Sequence, residues 1–141
     1  MTEHFLLEGE HFRLSMDFQV FESDIVYPSN TTLTVSVFSG GFSAISSLDI
    51  DAKNIPAFYM GMKTIYDSLE GEAVIAEAYG EQNIAFTCDR YGHIFISGLL
   101  CSNGANGFFQ KLKFENALDQ TFLPPFLKEL ERFSKRLLSG A

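Results

Sequence analysis

Apolar and polar residues alternate one by one through much of the first half of the chain. Every second residue is apolar over 12–20 and 33–37, and over 42–50 the same alternation holds except at Ile45 and Ser46. This period is typical of a strand with one buried and one wet face. Gly40-Gly41 supplies the positive φ angles that a tight hairpin turn requires. The N-terminal half is therefore predicted to be three or four antiparallel strands.

Between residues 54 and 71 the spacing of apolar residues changes to three and four. The recurring residues are Ile55, Phe58, Tyr59, Met62, Ile65, Tyr66 and Leu69. They predict an amphipathic helix, with Asn54 as its N-terminal cap and Gly71 as the residue that ends it. Gly61 in the middle costs roughly 1 kcal/mol against Ala, and it would allow the helix to come close to the sheet.

The second half repeats this order of strands followed by a helix. Strands are predicted at 72–79, 83–89, 93–101 and 107–115, with turns at Gly80-Glu81, at 90–92, and at Asn103-Gly104 or Asn106-Gly107. A closing amphipathic helix begins near Leu123, capped by Asp119 or Thr121. Because the strands come in runs, the fold predicted is α+β: two antiparallel β-meanders, about eight strands, with two amphipathic helices, in one domain spanning residues 1–141.

Composition and charge narrow the function further. The chain has fifteen Phe and no Trp, and we expect most of the rings to pack inside. The formal net charge of −8 argues against nucleic acid as the partner. Six Asp and eight Glu against Arg13, Lys53 and Lys63 give residues 1–89 a net charge of −11. Such a field favours a basic protein partner, although it also simply keeps a protein soluble.

No membrane span or targeting segment is visible, since no apolar run approaches the roughly 20 residues that a span needs. We therefore expect a cytoplasmic protein. Cys88 and Cys101 fall on opposite faces of neighbouring predicted strands, so free thiols are expected. Phosphate-binding and nucleophile motifs are absent, and the His and Cys spacing fits no zinc site. No cofactor and no metal are predicted.

Two small clusters could carry chemistry. Asp89 and His93 would face each other across a hairpin with Gly92 in the left-handed conformation, and a carboxylate beside an imidazole can serve acid–base catalysis. An exposed cross-strand pair is the simpler interpretation. Asp49 and Asp51 could serve a glycosidase or bind a hard metal, but their place at a strand end favours a solvated edge.

Four stretches together resemble a known family. They are the strand 12–20; Tyr66-Asp67-Ser68-Leu69-Glu70-Gly71-Glu72-Ala73; the hairpin with Asp89, Gly92, His93 and Ile94; and Leu118-Asp119-Gln120-Thr121 leading to Leu123, Phe126 and Leu130. The set resembles the small immunity proteins of bacterial polymorphic toxin systems, specifically those paired with wall-associated contact-dependent toxins. The resemblance implies a cytoplasmic, non-enzymatic protein that binds and neutralises the toxic C-terminal domain of a cognate toxin, often a nuclease.

The favoured hypothesis is therefore a binding protein, not an enzyme, that neutralises a basic toxin domain through an acidic face. The residues proposed for that face are Asp17, Glu22, Asp24, Glu77, Glu81 and Asp89. The alternative is a small-ligand-binding domain or small enzyme with a pocket between helix and sheet, using Asp89 and His93. A third possibility is a subunit that associates through an exposed strand edge, so the oligomeric state stays open.

Overall fold

The computed structural model describes residues 1–102 and 106–139, and these residues form two four-stranded antiparallel sheets and two helices. Sheet A contains β1 (Thr2–Gly9), β2 (Phe12–Val20), β3 (Thr31–Ser39) and β4 (Phe42–Ile50). Sheet B contains β5 (Glu72–Ala76), β6 (Asn83–Cys88), β7 (Ile94–Ser102) and β8 (Gln110–Leu118), with α1 (Asn54–Ser68) before it and α2 (Leu123–Ser139) after it. The strands of each sheet lie in chain order, so the two predicted meanders are confirmed.

Strand β1 is the element that the sequence pattern did not identify. The run Phe5-Leu6-Leu7 is apolar throughout, so the sequence shows no alternation of apolar and polar residues there. In the structure Phe5 and Leu7 are buried and Leu6 is exposed. Pairing with β2, in which Phe5 lies opposite Met16, sets which residues face inward. Strand β1 forms because it pairs with β2, and the spacing of its own apolar residues does not predict it.

Two strand boundaries differ from those expected. Strand β5 ends at Ala76 instead of residue 79, because the chain turns into a loop at Glu77. Strand β8 runs from Gln110 to Leu118, three residues later than the predicted 107–115. Gly107 has a φ of +79°, as a turn at Asn106-Gly107 requires, whereas Asn103-Gly104 lies outside the described residues.

The core lies between the inner faces of the two sheets and the two helices. The sheets meet where the rings of Phe12 and Phe114 are 6.3 Å apart, and Phe126 of α2 packs on Phe5 of sheet A and Phe86 of sheet B. Ten of the fifteen Phe residues are buried or half-buried, so the expectation of interior rings holds for most of them. The five exposed ones are Phe21, Phe38, Phe42, Phe108 and Phe109.

Helix α1 approaches the sheet most closely at Gly61, as expected. A Cβ added there would lie 2.8 Å from the carbonyl oxygen of Glu72. The predicted ends of α1 were wrong. Lys53 occupies the N-cap position without a side-chain hydrogen bond, because Asp51 already accepts the first N–H groups, and Leu69, with a φ of +54°, ends the helix ahead of Gly71.

The cap expected before the second helix is confirmed. The Asp119 side chain accepts the N–H of Thr121 at 2.9 Å and begins a short 3₁₀ turn that leads directly into α2. The two thiols are free and lie on opposite faces of sheet B, since Cys88 pairs with Ile94, seven residues before Cys101.

Candidate functional site

The Asp89–His93 pair forms as expected, at the tip of the β6–β7 hairpin. Gly92 has a φ of +86°, and Asp89 Oδ2 lies 2.7 Å from His93 Nδ1. The other carboxylate oxygen accepts the N–H groups of Tyr91 and His93 at 2.9 and 3.0 Å. The His93 side chain is 65% exposed. The pair closes a hairpin that faces solvent.

The electrostatics of this hairpin fit a structural role. Partial desolvation opposes ionisation of Asp89, but the hydrogen bonds from the His93 ring and from the main chain of His93 and Tyr91 outweigh it and lower the pKa of the carboxyl group. A carboxylate that stays ionised holds the imidazole and the turn together.

The six acidic residues predicted for partner binding do not form one continuous face. Asp17 lies on the outer face of sheet A, hydrogen-bonded to His4 of the neighbouring strand. Glu22 and Asp24 lie in the 3₁₀ turn after β2, and Glu77 and Glu81 lie in the loop between β5 and β6. Asp89 lies at the far end of β6 from that loop.

Three of these carboxylates have no cationic partner. In residues 1–102 and 106–139, no Lys, Arg or His lies within 4.0 Å of Glu22, Asp24 or Glu77. Asp17, Glu81 and Asp89 are instead paired within the chain, with His4, Lys111 and His93. Among the six predicted carboxylates, the negative charge without a cationic partner therefore lies on Glu22, Asp24 and Glu77.

Gln82 organises the loop that carries Glu77. The Glu77 carboxylate accepts the main-chain N–H and the side-chain Nε2 of Gln82, both at 2.9 Å. Gln82 Nε2 also donates to the carbonyl of Ser47 on β4 at 3.0 Å, and Gln82 Oε1 accepts the N–H of Cys101 on β7 at 3.0 Å. Ser46 donates its hydroxyl both to Gln82 Oε1 and to the Cys101 carbonyl. This buried side chain thus ties sheet A to sheet B.

Glu81, on the other side of this loop, is held by Lys111 of β8. The two side chains are 2.5 Å apart, and their hydrogen bond lowers the pKa of Glu81 and raises that of Lys111. The Lys111 ammonium also lies 5.4 Å from the centre of the Phe109 ring. Burial, together with the charge and hydrogen bond of Glu81 3.7 Å away, raises the pKa of the Cys101 thiol, which therefore stays protonated.

Between β4 and the adjoining ends of β7 and β8 runs a groove, here named the edge groove, with two ends that meet at Ser46, Cys101 and Ser102. The first end encloses about 220 Å³ and is apolar at its base; it is lined by residues including Ser43, Ala44, Ile45, Leu100 and Leu112. The second end encloses about 420 Å³ and is polar; it is lined by residues including Ser47, Glu77, Tyr79, Glu81 and Phe109.

Large apolar side chains are exposed around the edge groove. Ile45 is 72% exposed, Tyr79 is 79% exposed and Phe109 is 54% exposed, while Phe42 stands at the adjoining β3–β4 turn, 68% exposed. Sequence reasoning missed Phe42 and Phe109 because it expected most of the Phe rings to pack inside, and it placed Tyr79 in a predicted strand. Their position beside turns was the available signal, since a residue that flanks a turn often has no core to face.

The other predicted carboxylate pair lies nearby, at the end of sheet A. The Asp49 carbonyl accepts the N–H of Ala78 at 2.8 Å, and Asp51 accepts from buried Asn30 at 3.2 Å. No group of three His, Cys, Asp or Glu in the described part of the chain could hold a metal ion. Asp49 and Asp51 therefore add negative charge to this end of the sheet without forming such a group.

Two further recesses lie beside the helices. One, of about 340 Å³, separates β1 from the start of α2 and is lined in part by Leu6, Phe122 and Pro125. The other, of about 490 Å³, is apolar and includes Val26 and Leu138. Asp89 and His93 line neither of these two recesses.

Comparison with known proteins identifies the class of protein. The family model described as "Immunity protein WapI-like family" matches residues 6–138, and a comparison with curated proteins found no match. The chain therefore belongs to the WapI-like immunity protein family, and it is an immunity protein that neutralises a toxin. The immunity function expected from the resemblance is confirmed, and with it a protein partner. None of the described helices has the length and apolar character to cross a membrane.

Proposed function

We propose that this immunity protein acts in the cytoplasm on the toxic C-terminal domain of a wall-associated contact-dependent toxin, and that it neutralises the domain by binding without catalysis. The family match over residues 6–138 carries the proposal. The four resembling stretches, which lie between residues 12 and 130, support the particular toxin system.

The charge of the surface supports a basic toxin domain as the partner. Glu22, Asp24 and Glu77 carry uncompensated negative charge, and Asp49 and Asp51 lie at the same end of sheet A. Complementary charge of this kind speeds encounter with a basic surface and selects against acidic ones. Asp17, Glu81 and Asp89 remain part of the proposed binding set, but each would have to exchange an internal partner for one on the toxin.

Neutralisation by binding also fits the chemistry of the Asp89–His93 pair. Its imidazole stands exposed on a hairpin tip, with the paired carboxylate holding the turn through three hydrogen bonds. A general acid–base pair needs a substrate held beside it. The hydrogen bonds of Asp89 give this pair a structural role, which is to stabilise the β6–β7 turn.

Co-purification tests this function directly. A tagged, catalytically inactive form of the C-terminal domain of the cognate toxin is expressed with this protein, and the complex is purified and its association measured at low and high salt. We expect a stable complex whose association slows as salt rises, since salt screens exposed charges. Recovery of the toxin domain alone at every salt concentration would contradict the proposal.

Two charge-reversal substitutions test whether the acidic end of sheet A speeds association with the toxin domain. Asp24→Lys should slow association with the toxin domain, whereas Glu10→Lys, in the β1–β2 turn, should change it less, because Glu10 lies outside the acidic end of sheet A. Equal effects of the two changes would show that net charge alone, and not this surface, guides the encounter.

A further inference from the structure

We propose that the toxin docks in the edge groove by adding an extended, basic segment as a further strand beside β4. This inference rests on the proposed function and names the surface and the kind of segment that it would use. Strand addition combines main-chain hydrogen bonds with pockets for alternate side chains.

The hydrogen-bonding edge of β4 is open over part of its length. Ser39 and Phe42 flank the two-residue turn Gly40-Gly41 and form the closing pair, so the main-chain groups of the odd-numbered residues of β4 point away from β3. The carbonyls of Ser47 and Asp49 confirm this direction, because they accept from Gln82 and from Ala78. The loop after β5 therefore covers one end of the edge.

Ser43 and Ile45 form the uncovered part of this edge. Strand β4 is an outermost strand of sheet A, so no other strand of the described chain pairs with it there. Their N–H and C=O groups offer four hydrogen-bonding positions to a strand laid alongside. The added strand would stop where Gln82 and Ala78 begin, which fixes its register.

The two ends of the edge groove provide matching side-chain sites. Alternate residues of an added strand lie about 7 Å apart on one face. One would enter the apolar end beside Ala44, Leu100 and Leu112. The next on that face would reach the polar end, where the Glu77 carboxylate, bound only by neutral Gln82 among its described hydrogen-bond partners, favours a Lys or Arg.

Exposed aromatic side chains at the rim of the edge groove could contact the added segment. Exposed Tyr79 and Phe109 line its polar end, and exposed Phe42 directly precedes Ser43 of its apolar end. Aromatic residues are enriched among those that dominate binding energy at interfaces. The other open edge of sheet A, that of β1, is less suited, because Glu8 lies among the residues whose main-chain groups point away from β2 and charged residues protect edges from pairing.

A matched pair of proline substitutions tests strand addition. Ile45→Pro removes an outward N–H without touching the β3–β4 ladder, and edge strands tolerate proline at such positions. Leu6→Pro is the control, because the reciprocal bonds of Met1 with Val20 make the N–H of Leu6 point outward from β1. The probe is the inactive C-terminal toxin domain, with affinity measured by calorimetry and folding checked by circular dichroism.

A second pair of substitutions, at the rim of the groove, tests the same inference without introducing proline. Tyr79→Ala removes a rim side chain, and Tyr91→Ala removes one of similar exposure at the distant β6–β7 hairpin. We expect Ile45→Pro and Tyr79→Ala to weaken binding about tenfold or more, and the two controls to stay within about twofold of the wild type.

The outcomes separate this inference from the function on which it rests. If the wild-type protein binds and the test variants that fold match their controls, the edge groove is not the docking surface, while the proposed function stands. If the wild-type protein does not bind the toxin domain at all, the proposed function fails and the docking inference falls with it.

Discussion

Gln82→Ala removes a side chain that joins β4 of sheet A, β7 of sheet B and the Glu77 loop. Four hydrogen bonds disappear with the amide. Two of the groups that bond to the Gln82 amide keep another hydrogen bond: Ser46 still donates to the Cys101 carbonyl, and Glu77 still accepts the main-chain N–H of residue 82. The Ser47 carbonyl and the Cys101 N–H lose their described side-chain partner.

The expected cost follows from those two main-chain groups. A buried polar group left unpaired costs about 1–3 kcal/mol, and water from the adjoining groove can satisfy part of the demand. We therefore expect the free energy of unfolding to fall by about 2–3 kcal/mol. With a urea dependence of about 1.5 kcal/mol per molar, the midpoint should fall by roughly 1–2 M.

The assay is equilibrium urea unfolding, with Gln19→Ala on the exposed outer face of sheet A as the control. The control should change stability by less than about 0.5 kcal/mol. Gln82→Glu should also destabilise, more at pH 7 than at pH 5, because a buried carboxylate beside Glu77 is unfavourable unless protonated. A Gln82→Ala variant as stable as Gln19→Ala would refute the reasoning that this network joins the sheets.

Three further changes test the fold. Gly61→Ala should lower the free energy of unfolding by about 1–2 kcal/mol in urea titration, because overlap with the main chain of β5 outweighs the gain in helix propensity; a more stable variant would show that α1 can move outward. Asn30→Ala should cost about 2–4 kcal/mol by the same assay, since a fully buried amide holds the loop after β2 and the N–H of Ala52; a neutral result would contradict that role. Asp119→Ala should lower the thermal midpoint more than Asp119→Asn. The hydrogen bonds from Thr121 lower the pKa of Asp119. The stability that the ionised Asp119 adds is therefore present above the ordinary carboxyl pKa and should be lost as the pH falls through the lowered pKa of the folded protein. A difference in thermal midpoint between wild type and Asp119→Ala that stays constant down to pH 2 would contradict this role.

Much of the fold could be predicted because periodicity reports burial directly. The alternation of β2 matches its buried face, and Ile55, Phe58, Met62 and Ile65 of the α1 stripe are buried, whereas Phe42 of β4 and Tyr66 of α1 are exposed. Strand β1 could not be predicted this way, because Phe5-Leu6-Leu7 has no period of two and its faces are set by pairing with β2. The predicted start of α1 was wrong because Asp51, outside the helix, accepts the N–H groups of Lys53 and Asn54, and the predicted end was wrong because Leu69 adopts the left-handed conformation ahead of Gly71.

The candidate site was predictable only in part. The local Asp89–His93 contact follows from the turn chemistry of a four-residue span, so the sequence contains it. The edge groove depends on residues 30 to 60 positions apart, such as Ser46 with Gln82 and with Cys101, and no local pattern reports such contacts. Predicted exposure and charge selected Asp17, Glu81 and Asp89 as binding residues, but neither shows that each already has a partner within the chain.

Titration of the toxin's activity with this protein tests the central claim most directly. The active C-terminal toxin domain is held at a fixed concentration well above the dissociation constant, and its remaining activity is measured as purified immunity protein is added. Neutralisation by binding predicts a linear fall that reaches zero at a fixed stoichiometric ratio and does not deepen with time. Progressive loss of activity at substoichiometric amounts would indicate turnover and contradict the account, as would full activity at every ratio.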